Sequence, residues 1–289
     1  MPDALPPAGQ PDNVETPSGK DAAYENFPVG SFLLPRHLRP HIAVFYRFAR
    51  AIDDIADSAD LSAEEKVRRL EGFEAVVAGQ ESSDPAYATG HHMRASLDAT
   101  GVSPQHCIDL ITAFKRDATK LRYRDWDDLM GYCVLSAAPV GRYLLDLHGG
   151  ASDGYASADA LCMALQVINH LQDCRDDYLT LDRVYLPGDW LAEEGGDITE
   201  LAGMSSSRAM RRVIDRTIAA SADLMMSARP LPSALTSRRL AMESAAIIRI
   251  ADMLLARLRS RDPLGRRIEL SKVEYFWCCI GGVIGGLTR

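Results

Sequence analysis

The chain has 289 residues, 47% of them hydrophobic and 25% charged, and its 32 basic and 40 acidic residues leave a net charge of -8. That length buries a sizeable core. The acidic balance excludes a general nucleic-acid binder, which needs clustered Lys and Arg, and no apolar run is long enough to span a bilayer.

Residues 1–22 are rich in Pro, Gly, Asp and Ser and read as a disordered tail ahead of a single domain over 23–289. Eight of the 15 prolines fall in the first 40 residues, so the remainder has long stretches open to helix. Apolar Ile42, Phe45, Tyr46, Ala49, Ile52 and Ala56 recur at spacings of three and four and predict a helix over 38–58. The same period predicts helices over about 62–79, 88–99, 105–122, 126–148, 156–180, 206–228 and 233–260. Ser205–Ser207 offers an N-cap for the seventh, and the RPLP run at 229–232 separates it from the eighth. Pro139 is expected to kink the 126–148 helix and make room beside it. Strand alternation of useful length is absent, so the expectation is a single all-α domain of long helices. The run Phe276–Leu287 is apolar apart from its glycines and too short to cross a membrane. It reads as a buried terminal helix, with peripheral membrane contact as the other reading. Six scattered cysteines without a CxxC pair, and an N-terminus without a basic-then-apolar signal, fit a reducing cytoplasm.

Two carboxylate stripes carry the chemistry. Asp53 and Asp57 sit four apart in the first predicted helix, and Asp173 and Asp177 sit four apart in the sixth, so each pair shares a helix face. Tyr46 and Arg50 extend the first stripe upstream, and Gln166 and Asn169 extend the second. Apolar Phe45, Phe48, Ile52, Leu165, Ile168 and Leu171 flank them. Oxygen-only donors suit a hard cation, and Mg²⁺ takes a few carboxylates while keeping water and phosphate as its other ligands. Two acidic faces repel a diphosphate on their own and hold it through Mg²⁺. A departing diphosphate leaves a carbocation, which an apolar pocket shields. A solvated acidic face is the plain alternative for either stripe alone.

These residues resemble the squalene and phytoene synthases, the head-to-head trans-isoprenyl diphosphate synthases. The first motif of that family is similar to Asp53-Asp54-Ile55-Ala56-Asp57 with Tyr46 and Arg50 ahead of it. The second is similar to Gln166, Asn169, Asp173 and Asp177, followed by Asp182-Arg183-Val184-Tyr185-Leu186-Pro187. Gly131-Tyr132-Cys133 and Ser136-Ala137-Ala138-Pro139-Val140-Gly141 resemble the family's broken pocket helix, and Arg267–Lys272 resembles its C-terminal basic segment. Glu25–Val29, Leu33–His41 and Asn169–Cys174 look like the branch that makes hydroxysqualene in bacterial hopanoid biosynthesis.

The resemblance implies an isoprenoid-synthase-type fold, a single bundle of long helices around a central apolar cavity with the two Asp-rich stripes. It also implies conversion of presqualene diphosphate and water to hydroxysqualene and diphosphate, with several Mg²⁺ ions and without NADPH. It implies Asp53, Asp57, Asp173 and Asp177 as metal ligands and Asn169 as a ligand of metal or diphosphate. Arg50, Arg183 and Arg267 are implied as phosphate holders, with Tyr46 and Tyr185 donating to diphosphate. Gln166 would orient water or a cationic intermediate, and Tyr132 would face the cation. Asn26, Phe27, Ser136, Ala137 and Gly141 would line the substrate region. Asp117 is read as an ordinary helix salt bridge, with a group that supports the metal and diphosphate ligands from behind as the other reading, and His170 as a packing or hydrogen-bonding residue. Condensation of two farnesyl diphosphates to presqualene diphosphate, squalene or a C30 carotenoid precursor stays open, as does a non-catalytic helical assembly factor. The implied place is the cytoplasm, with the inner face of the membrane as a peripheral contact; nothing indicates an oligomeric state.

Overall fold

The computed structural model describes residues 14–16, 33–80, 84–150 and 152–287. Asn26, Phe27 and most of the expected tail lie outside them. Of that tail, Val14–Thr16 is packed on the body: Val14 is buried, its carbonyl accepts from Arg69 Nη1 at 2.9 Å, and the Thr16 hydroxyl donates to the Asp54 carbonyl at 2.9 Å.

Helix α1 (Arg39–Asp57) carries Pro40 in its first turn, where the missing N–H costs nothing, and buries Ile42, Phe45, Phe48, Ile52 and Ile55. Helix α2 (Ala63–Val77) is capped by Ser62, which accepts from the Glu65 N–H. Helices α3 (Ala88–Thr100) and α4 (Gln105–Asp117) complete the first group. The sequence pattern carries the fourth helix to 122. It stops at Asp117, and the chain instead forms strand β1 (Arg122–Tyr123), paired in parallel with β2 (Val184–Pro187). Strands this short have no period to read.

The 126–148 segment is two helices rather than one kinked one. Helix α5 (Trp126–Ser136) and helix α6 (Ala138–Leu147) meet at Ala137, which leaves helical geometry at φ -125°. Pro139 sits in the first turn of α6, where proline is tolerated, so it marks a start and not a bend. Helix α7 (Tyr155–Leu181) is the longest at 27 residues and ends where Asp182 turns left-handed at φ 51°. Helix α8 (Gly188–Glu194) leads to α9 (Arg208–Ala228), capped by Ser207 as expected. The short α10 (Leu231–Ala234) precedes α11 (Arg238–Ser260), and α12 (Lys272–Leu287) packs back along α11.

The described residues are thus all-α apart from the two-stranded sheet. Two apolar clusters form the core, one under α1–α4 and one among α5 and α7–α12, and a cavity lies between them. None of the described helices is long and apolar enough to cross a membrane. The terminal helix is not buried as expected: Val273, Phe276, Trp277 and Ile284 stand in solvent.

Close helix approach makes a test of α12. A Cβ on Gly282 would meet the Ala246 backbone nitrogen at 2.4 Å, whereas one on Gly285 would meet nothing within 4 Å. Gly282→Ala should destabilise by about 1–3 kcal/mol through overpacking, and Gly285→Ala should stabilise by up to about 1 kcal/mol through helix propensity. Urea unfolding of the two variants checks the difference.

Candidate active site

The cavity has a volume of about 400 Å³ and runs between α1, α6, α7 and α11. Its lining changes character along its length. From α1 it takes Ile42, Phe45, Tyr46, Ala49, Arg50, Asp53 and Asp57 in order, and from α7 Ala158, Leu161, Cys162, Leu165, Gln166, Asn169, His170, Asp173 and Asp177. Both helices therefore pass from apolar to acidic toward their C-termini. Asp53, Asp57 and Asp177 sit in or next to the last turn of their helices, where unsatisfied carbonyls add negative potential, and Asp173 lies one turn further in. That end of the cavity calls for cations.

Arginines supply positive charge there. Arg50 Nη1 is 2.9 Å from Asp53 Oδ2, one helical turn away. Arg183, only 6% exposed at its side chain, places Nη1 2.5 Å from Asp57 Oδ1 and donates through Nη2 to the Ala56 carbonyl at 2.8 Å. Arg267 sets Nε 2.6 Å from Asp173 Oδ1 and Nη2 3.2 Å from Oδ2. Burial, and then the Asp57 charge, push the Asp53 carboxyl well above its usual range, with Arg50 opposing. A rim that raises a carboxylate in this way gains from a further cation.

Behind the rim lies a polar wall that sequence reasoning misassigned. Asp117 is buried, not in an exposed helix salt bridge. It accepts from the Tyr132 hydroxyl at 2.5 Å and the Tyr185 hydroxyl at 3.1 Å, and its backbone carbonyl accepts from Arg183 Nε at 3.2 Å. Burial lifts its carboxyl to about 6, with the Arg183 charge and the two tyrosine hydrogen bonds pulling the other way. The signal was present: Leu110, Ala113 and Asp117 share the buried face of α4. His170 stacks on Tyr185 with centroids 3.6 Å apart and lies 3.2 Å from Gln166 Nε2. Burial, then the Arg183 charge, lower it to about 3, so the imidazole is neutral.

Of the expected site residues, the structure brings Tyr46, Arg50, Asp53, Asp57, Tyr132, Ser136, Ala137, Gly141, Gln166, Asn169, Asp173, Asp177, Arg183, Tyr185 and Arg267 to this one cavity. The hydroxyls of Tyr132 and Tyr185 serve Asp117 while both residues line the space. Gly141 lets α6 approach α7; a Cβ there would meet Cys162 Sγ at 2.8 Å. Asp54 is buried outside the lining, and Asp176 is a solvated face, 70% exposed at its side chain. Glu243, buried on α11, also lines the cavity and carried no motif. Among the described residues no group of three or more His, Cys, Asp or Glu forms a closed cation cage. The donors that line the acidic end are oxygens on separate helices, which fits an ion that takes few protein ligands and completes its shell with phosphate and water.

Comparison with known proteins follows this geometry. The sequence profile of the Squalene/phytoene synthase family matches residues 21–274. A hydroxysqualene synthase of Rhodopseudomonas palustris is 41% identical over 276 residues, covering 95% of this chain and 93% of the relative. That of Zymomonas mobilis is 38% identical over 259 residues, covering 89% and 86%. The crystal structure of a squalene synthase from Alicyclobacillus acidocaldarius superposes with a TM-score of 0.71 at 30% identity, covering 82% of this chain and 89% of that one. A dehydrosqualene synthase at 19% identity shares the fold with a TM-score of 0.75, over 91% and 92%.

Asp117 should be costly to remove. Asp117→Ala leaves the Tyr132 and Tyr185 hydroxyls without their buried acceptor and removes a negative charge beside Arg183, and should lower the unfolding free energy by about 3 kcal/mol. Asp117→Asn keeps an acceptor oxygen and should recover part of the loss in the same urea titration.

Proposed function

The chain belongs to the squalene/phytoene synthase family, and we propose that it is a hydroxysqualene synthase, converting presqualene diphosphate and water to hydroxysqualene and diphosphate. The observation that carries the reading is the polarity gradient of one cavity. An acidic, arginine-laced end suits a metal-bound diphosphate, and an apolar end suits a hydrocarbon chain. The hydroxysqualene synthases at 38–42% identity over nearly the whole chain support the choice of product.

Asp53, Asp57, Asp173 and Asp177 would hold Mg²⁺, together with substrate oxygens. Bound there, the ions would supply charge neutralisation that makes diphosphate a better leaving group. The chain's own residues do the rest. Arg50 and Arg267 have planar forks that match phosphate oxygens as well as carboxylates. Arg183 is fixed between Asp57 and the Asp117 backbone and keeps the inner corner positive. Tyr46, whose hydroxyl is 3.5 Å from Arg50 Nη2, faces the same end. Phe45, Leu161 and Leu165 exclude water from the hydrocarbon, which protects a carbocation from random capture. Water then has to be admitted at one place. Gln166 and neutral His170, at the border between the apolar and acidic linings, offer the hydrogen-bonding groups for that. Presqualene diphosphate loses its C–O bond to diphosphate, the rearranged cation gains a bond to water oxygen, and the extra proton leaves to solvent or diphosphate.

Incubating purified protein with presqualene diphosphate and Mg²⁺, without NADPH, should yield hydroxysqualene. Unchanged substrate would refute the reading, and product from farnesyl diphosphate alone would move it to the condensing branch. Asp53→Ala and Asp173→Ala should each lower kcat on the order of 10³-fold with an unchanged circular dichroism spectrum. A near-normal rate in either would remove the metal role.

A further inference from the structure

Helix α12 has two faces of opposite character. One packs on α11: Gly282 lies against Ala246, Cys278 Sγ is 3.1 Å from Met253 Sδ, and Glu274 pairs with Arg257. At 100° per residue, Val273, Phe276, Trp277 and Ile284 fall on the other side, and all four are 56–65% exposed. No other described helix shows such a stripe; the remaining exposed large apolar residues are scattered singly over the chain.

The segment that carries the stripe is net basic. Residues 238–289 hold ten Lys and Arg against five Asp and Glu, a net +5, while residues 1–237 carry -13. On α12 itself the one acid, Glu274, is neutralised by Arg257. Lys272 is exposed on one flank of the stripe. On the other flank, exposed Arg249 lies against Gly281, where a Cβ would meet its Nη1 at 2.9 Å. A helix of 16 residues spans about 24 Å, too short to cross a hydrocarbon core of about 30 Å.

We propose that this face of α12 docks the protein on an anionic lipid surface, with the helix lying in the interface. Apolar side chains including a Trp and a Phe enter the headgroup boundary, and Lys272 and Arg249 meet lipid phosphates on either side. The net acidic remainder of the chain is repelled by the same surface, which favours an orientation with this side facing it. Such docking sets a protein with a hydrocarbon-lined cavity against the phase that holds hydrocarbon chains. It does not rest on which product the cavity forms.

Flotation of the full chain with vesicles tests it. Vesicles of phosphatidylcholine with phosphatidylglycerol should carry the protein up, and those of phosphatidylcholine alone should not. Binding should fall at least about tenfold in Phe276→Ser/Trp277→Ser and in Arg249→Glu/Lys272→Glu, with unchanged melting temperature. Intrinsic fluorescence should shift to the blue on anionic vesicles. Trp190 is buried and half-buried Trp126 stacks on it at 5.5 Å, so exposed Trp277 carries the response. Absence of flotation, or equal flotation of the Phe276/Trp277 variant, would overturn the proposal. So would a lipid-free dimer abolished by that variant, which would assign the face to a second copy.

Discussion

Two acidic helix ends can face each other across an apolar cavity only if opposite charge is built in between them. Here the pairing of Arg183 with Asp57 is the joint. The two residues are 126 apart in sequence, and their contact ties the end of α1 to the turn that closes α7. Much else exists to hold that guanidinium. Asp182 adopts a left-handed conformation so that the chain can reverse, and the Arg183 N–H returns to the Asp177 carbonyl at 3.1 Å. The short β1–β2 pairing then fixes the direction of the segment, and Arg122 secures the Asp182 backbone. Asp117, through its carbonyl and its field, completes the surroundings of the buried cation. A buried Arg without these partners would cost several kcal/mol.

The other two pairs are of a different kind. Arg50 and Arg267 keep 19% of their side-chain surface, and their partners Asp53 and Asp173 keep 30% and 25%. Partly solvated pairs contribute little to stability and can exchange partners at small cost. The rim therefore combines one fixed cation with two exchangeable ones. That combination suits a site where a metal-bound anion enters and a free anion leaves, because charge balance is kept in both states without the fold being rebuilt.

How much of this was legible in the sequence follows from the range of each interaction. The aspartate stripes and their polar extensions were readable because residues three and four apart on one helix meet without help from elsewhere. Caps such as Ser207 were readable for the same reason. The break at Ala137 was expected only through the likeness to a broken pocket helix, since Pro139 alone signals either a bend or a start and the packing of α6 on α7 through Gly141 decides which. The end of α4 at Asp117 was obscured because residues 118–122 keep helical character, and a two-residue strand is selected by a partner distant in sequence, Arg122 pairing with Val184. Asp117 itself looked like one charge in a Lys-Arg-Asp run. Its role depends on Tyr132 from α5 and on Arg183 and Tyr185 from β2 and the turn into it, both distant in sequence. The exposed face of α12 was misread because apolar composition alone does not say which phase covers it.

The site was nevertheless recoverable because its two principal walls are single helices read end to end. From Ala158 to Asp177, α7 covers about 28 Å of cavity at 1.5 Å per residue. It presents small and apolar side chains first, neutral polar ones next and carboxylates last. Helix α1 repeats that order from Ile42 to Asp57, and the Arg183 contact brings the two C-terminal ends together. The backbone dipoles point the same way, so the carboxylates accumulate where the helices are already negative. Moving either stripe to a helix N-terminus would satisfy the carboxylates with backbone N–H groups and remove their demand for a cation. The order of residues along each helix, and not only their identity, thus makes this end a receiver of positive charge and the opposite end a receiver of hydrocarbon.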